Sequence, residues 1–75
     1  MNTDLLKEQI KKVSEYLESA EGETKQKISI ISQYLSSLLE PEKFTDIQRE
    51  DLRKLALELG YQEDTSFEKW IAEHK

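Results

Sequence analysis

Apolar side chains recur every three or four positions through most of this chain, and charged ones fill the places between. Leu6, Ile10, Val13, Leu17 and Ala20 make one such stripe on an otherwise charged cylinder, and the spacing predicts a helix from about Thr3 to Ala20. Asn2 or Thr3 can cap its start, and Asp4 and Glu8 sit where the helix dipole favours carboxylates. Glu21-Gly22-Glu23 breaks the pattern, with Gly22 available for a left-handed residue. So short a connection should return the second helix antiparallel to the first.

The second helix is the stretch the rest is organised around. Ile28 to Leu39 reads ISIISQYLSSLL, the longest run without an ionisable Asp, Glu, Lys or Arg in a chain where such residues make up 36%. Ile28, Ile31, Leu35, Leu38 and Leu39 form an apolar face at helical spacing, widened by Ile30 and Tyr34. Ile28-Ser29-Ile30 also alternates like a strand, but the apolar face continues on a helical period to Leu39, so length decides for helix. The opposite face, Ser29, Ser32, Gln33, Ser36 and Ser37, is small and neutral. The helix should run from about Thr24 to Glu40, because Pro41 disfavours helical geometry in the residue before it. Between Glu40 and Phe44 there is room for a single turn, with Phe44 a plug into the core.

Thr45-Asp46-Ile47-Gln48 fits a capping box and opens a third helix, with Leu52, Leu55, Ala56 and Leu59 as its expected buried face. Gly60 should stop it, and Tyr61 can fold back on Ala56 in a Schellman-type close. A short fourth helix, about Thr65 to His74, follows a second capping-box pattern, Thr65-Ser66-Phe67-Glu68. Phe67, Trp70, Ile71 and His74 share one of its faces. About ten residues make a marginal helix in isolation, so Phe67 and Trp70 must dock either on the core of the second and third helices or on a partner protein. The predicted fold is all-α: a small antiparallel bundle of three main helices plus a short C-terminal one, in a single domain over residues 1–75.

Composition narrows the picture. Seventy-five residues bury only about 60% of the surface that the unfolded chain exposes. With no cysteine, neither a disulfide nor a thiolate metal site adds to that margin. Sixteen acidic against eleven basic residues leave a net charge of −5, which argues against nucleic acid as a partner. Met1-Asn2-Thr3-Asp4 lacks the basic and apolar regions of a secretory signal, and the uncharged run is shorter than the roughly 20 residues of a transmembrane helix. A cytoplasmic protein is expected.

Candidate catalytic chemistry is sparse. The one histidine, His74, falls in the last helical turn, where it suits the helix dipole. Pairs such as Glu8 with Lys12 and Glu50 with Lys54 have the i, i+4 spacing of exposed helices. Gly22 and Gly60 stand alone and make no phosphate loop. These patterns point to no catalytic, cofactor-binding or metal-ligating residue, so the expectation is a non-enzyme. Two surfaces are candidates for recognition of another protein. One is the neutral face carrying Ser29, Ser32 and Ser36, whose small side chains admit another helix and equally suit a homodimer seam. The other is an aromatic patch of Tyr61, Phe67, Trp70 and Ile71, should it prove exposed.

Two resemblances bear on use. Leu55-Ala56, Gly60-Tyr61, Phe67 and Ile71 resemble the second helix-turn-helix of AraC-type regulators, which implies that the fourth helix would enter a DNA groove. Glu63, Asp64 and Glu68 depart from that pattern by placing carboxylates where phosphates would lie. The segment from Phe44 to Leu55, FTDIQREDLRKL, resembles the immunity proteins of pediocin-like (enterocin-type) bacteriocins, whose preceding helix ends in a Tyr-Leu pair, here Tyr34-Leu35. The likeness extends loosely from Asp4 to Gly60. It implies a cytoplasmic four-helix bundle that protects a producer cell by acting on the complex of bacteriocin and its membrane receptor. Phe44, Thr45, Gln48, Leu52 and Leu55 would then serve cap and core, not contact. This chain is shorter than those proteins, and Phe67–Ile71 has no counterpart in them. The alternative is a small helix-turn-helix-like or phage-type regulator or inhibitor acting on DNA or on a host protein.

Overall fold

In a computed structural model of the protein, residues 3–62 and 66–74 are described. Among them are four α-helices and no strand: α1 (Thr3–Ser19), α2 (Gly22–Leu39), α3 (Asp46–Glu58) and α4 (Phe67–His74), with a 3-10 turn at Pro41–Lys43 between α2 and α3. The candidate caps Asn2 and Thr65 and the carboxylates Glu63 and Asp64 lie outside the described residues.

The uncharged stretch is the centre of the bundle. α2 packs against α1 on one side and α3 on the other, and it buries Ile28, Ile31, Tyr34 and Leu35. Leu38 and Leu39 are half-buried against the same core. Charge is excluded here for a physical reason: an ionised side chain facing two helices would lose its water without gaining a partner. Ser37 departs from the expected exposed face. It is buried, and its hydroxyl donates to the Tyr34 carbonyl at 2.6 Å. Satisfying that hydroxyl within its own helix is what lets a serine stand inside.

α1 lays Leu6 and Val13 into the core, with Ile10, Leu17 and Ala20 at its edge. Gly22, at the head of α2, has φ +65°. A Cβ there would meet nothing within 4 Å, so glycine is required by backbone conformation and not by space. Pro41 ends α2 as expected. Phe44 is half-buried against the core.

Both ends of α3 are built as its sequence predicts. The Gln48 amide donates to Thr45 Oγ1 at 3.1 Å and the Thr45 amide donates to Gln48 Oε1 at 2.9 Å, a complete capping box. At the other end Gly60 takes φ +81°, its amide donates to the Leu57 carbonyl, and the Tyr61 amide donates to the Ala56 carbonyl at 2.9 Å. Those two bonds define a Schellman close. The expected buried face needs one correction: Leu52 and Ala56 are buried and Leu59 half-buried, but Leu55 is 41% exposed. Leu55 falls to one side of the line through Leu52, Ala56 and Leu59, and α2 covers only that line.

α4 begins at Phe67, and its cap is Ser66, whose Oγ accepts from the Lys69 amide at 3.2 Å. Eight residues are too few for a helix to stand alone. Burial of Phe67 and Trp70 offsets this, each aromatic contributing roughly 4–6 kcal/mol before entropy costs.

Candidate protein-binding surfaces

The aromatic residues come together, but inside. Tyr61, Phe67, Trp70 and Ile71 are 1, 0, 1 and 4% exposed. They are core, and the aromatic patch expected as a possible surface anchor is not on the surface. Rings run through the molecule in contact: Tyr34 meets Tyr61 edge-on at 6.2 Å, Tyr61 meets Trp70 at 6.4 Å, and Trp70 stacks on Phe67 at 6.1 Å. Phe67 then meets the half-buried Tyr16 of α1 at 5.5 Å.

Polar atoms within this cluster are satisfied by partners distant in sequence. Gln9 Oε1 accepts from the Tyr61 hydroxyl at 2.9 Å and from the Phe67 amide at 3.1 Å. One side chain of α1 thus serves both the end of α3 and the start of α4, whose first amides have no helical acceptor. Lys12, one turn along, pairs with Glu68. Burial, with Tyr34 close by as a second cause, pushes the Tyr61 phenol up to about 12. His74 remains exposed while its ring stacks on Trp70 at 4.3 Å, its Nδ1 lying 2.9 Å from the Trp70 carbonyl. Gln9 is the residue that sequence reasoning missed. Its position, one before Ile10 on the edge of the α1 stripe, was the available signal.

Ser29, Ser32 and Ser36 lie on the outer side of α2, each half-buried, with Ser37 withdrawn into the interior. The more open surface is α3. Of the four large apolar side chains exposed among the described residues, Ile47, Leu55 and Leu57 belong to it, and Ile47 is 74% exposed. Its spacing carried the signal. Ile47 stands five residues before Leu52, about 140° away around a helix whose buried line is Leu52, Ala56 and Leu59.

Beside α3, a groove of about 410 Å³ separates it from the end of α2, with Tyr34, Leu38 and Pro41 along one wall and Arg49 and Arg53 along the other. The arginines are engaged within α3, Arg49 with Asp46 and Arg53 with Glu50. Hydrogen bonding from Arg53 holds the Glu50 carboxyl below its usual range. The exposed side of α4 carries Glu68, Lys69 and Glu73. Among the described residues, no group of three or more His, Cys, Asp or Glu is placed to hold a metal ion, and no helix is long and apolar enough to cross a membrane. Set against known protein families, curated proteins and solved structures, the chain matches none.

Proposed function

We propose that this chain is a non-catalytic protein-binding module that meets its partner through the outward face of α3, and that its setting is bacteriocin immunity in the cytoplasm of a producer cell. The observation that carries the binding role is the gathering of Ile47, Leu55 and Leu57 on one thirteen-residue helix. Scattered exposed apolar residues need no explanation, whereas Ile47 and Leu57, about 80° apart on the side of α3 away from Leu52, support a contact surface there. The resemblance of Phe44–Leu55 to the pediocin-like immunity proteins supports the setting, and there the partner is the assembly of bacteriocin and membrane receptor. The half-buried serines of α2 offer a secondary, smoother surface.

Expression of the chain in a strain sensitive to pediocin-like bacteriocins tests this directly. Survival should rise above the vector control. Ile47→Asp should abolish the gain at an unchanged melting temperature, because Ile47 supports no core contact. Survival equal to the control for each bacteriocin tried would remove the immunity setting. For the regulator alternative, a mobility-shift assay at low ionic strength should retain no DNA, since Glu68 and Glu73 on the outer side of α4 repel phosphates.

A further inference from the structure

We propose that the pocket of about 220 Å³ between α2 and α3, floored by Phe44 and Leu52 and rimmed by Gln33, Gln48 and Asp51, takes one apolar side chain from a basic segment of a partner protein. The proposal rests on the reading of α3 as a protein-binding face, and it names the partner's anchor and its charge. Leu52 is buried and Phe44 half-buried, while the three rim residues are exposed. An apolar side chain seated on that floor gains by leaving water. Gln48 Oε1 is taken by the Thr45 amide. Its own amide hydrogens, with the Gln33 amide, are left to orient the main chain of the incoming segment.

Charge selects the segment. Gln48, Asp51, Leu55 and Glu58 follow one another at three, four and three residues, and so line one side of α3. Both arginines of the helix lie about 160° round from Asp51, where they engage Asp46 and Glu50. Lys54 lends its charge to Glu50. Among the described residues, Asp51 and Glu58 enter no ion pair. An apolar pocket beside unanswered carboxylates suits an anchor flanked by Lys or Arg, because a neutral segment would strip water from Asp51 and give nothing back.

The same bias holds along the chain. After Leu39 ten acidic residues stand against six basic ones, and up to Leu39 six stand against five. That excess steers a basic partner toward the half of the chain that carries the pocket. It opposes a second copy, which brings the same surplus of acid, and it opposes an anionic membrane surface.

Fluorescence anisotropy on the intact chain, with a labelled peptide in which tryptophan is flanked on each side by lysines, tests the proposal. Binding should be weak, with Kd of about 0.1–1 mM at physiological ionic strength. It should be lost when glutamates replace the lysines or glycine replaces the tryptophan. Asp51→Lys should weaken it about fivefold or more, and so should Gln33→Trp, which fills the pocket from its exposed rim. Glu15→Lys makes the same change of net charge on α1, across α2 from the pocket, and should alter binding by less than about twofold. Melting curves check that the variants remain folded. No binding by the wild type, equal losses in Glu15→Lys and Asp51→Lys, or undiminished binding of the glycine peptide overturns the proposal. Full protection by Asp51→Lys alongside loss of protection in Ile47→Asp would refute the pocket and leave the protein-binding reading standing. Peptide binding with these dependences but no protection against any bacteriocin would uphold the pocket and remove the immunity setting.

Discussion

The indole Nε1–H of Trp70 donates to the main-chain carbonyl of Leu59 at 2.7 Å. The largest side chain of the core thereby satisfies one of the carbonyls that α3 leaves without an amide partner at its end. Packing and helix termination meet in one residue, and this joins the short α4 to the rest of the bundle.

Trp70→Ala should accordingly destabilise the protein by about 3–5 kcal/mol, read from chemical denaturation. Trp70→Phe keeps much of the ring packing but leaves the Leu59 carbonyl unpaired, at a smaller cost of about 1–3 kcal/mol. A Trp70→Ala variant that melts with the wild type would contradict the interior placement of this ring.

Gln9 serves two donors, so Gln9→Ala strands both the Tyr61 hydroxyl and the Phe67 amide. The expected loss is about 1–3 kcal/mol. Tyr61→Phe removes one of those donors, so the double variant should lose less than the sum of the singles. Strict additivity in that cycle would mean that the two side chains do not share a bond in solution.

The raised Tyr61 phenol makes stability depend on alkaline pH. Its folded value of about 12 exceeds the value of about 10 for an unperturbed tyrosine. The stabilisation is fully present below pH ~10 and declines from there toward pH ~12, because the unfolded chain gives up its proton first. Denaturant midpoints across this range should fall more steeply for the wild type than for Tyr61→Phe. Parallel curves would show that burial does not hold this proton.

Gly60→Ala should cost about 1–2 kcal/mol. A Cβ there has only His74 Cε1 nearby, at 4.0 Å, so the loss comes from the positive φ and not from a clash. Asparagine, which tolerates that conformation better, should recover part of the loss in a thermal melt.

Thr45→Ala removes one half of the α3 cap, with an expected loss of about 1 kcal/mol. By contrast, Lys12→Ala breaks an exposed pair with Glu68 and should change stability by less than about 1 kcal/mol. If the Lys12 variant proved the more damaging, the docking of α4 would depend on charge and not on Phe67 and Trp70.

Much of the architecture was legible in the order of residues because it is set within a few positions. The capping box between Thr45 and Gln48, the stop at Gly60, the break at Pro41 and the stripe of α1 each depend on neighbours in sequence. So did the central place of α2, since the apolar face of Ile28, Ile31 and Leu35 gains from burial only where other helices cover it. The Ser66 cap of α4 is likewise local, a hydroxyl reaching an amide three residues on.

What a helix packs against was a different question, and periodicity is blind to it. The spacing of Phe67, Trp70 and Ile71 suits a core or an interface equally, and only the return of α4 onto Gln9, Leu59 and Tyr16 placed them inside. The packing of α2 against α3 decided that Ser37 would be buried and Leu55 left out, and the return of α4 made Gln9 an acceptor for donors more than fifty residues away. The chain by itself determined four helices, their ends and their apolar lines. The tertiary structure decided which lines would be covered, because burial depends on the positions of several elements at once and no single stretch of sequence carries that information.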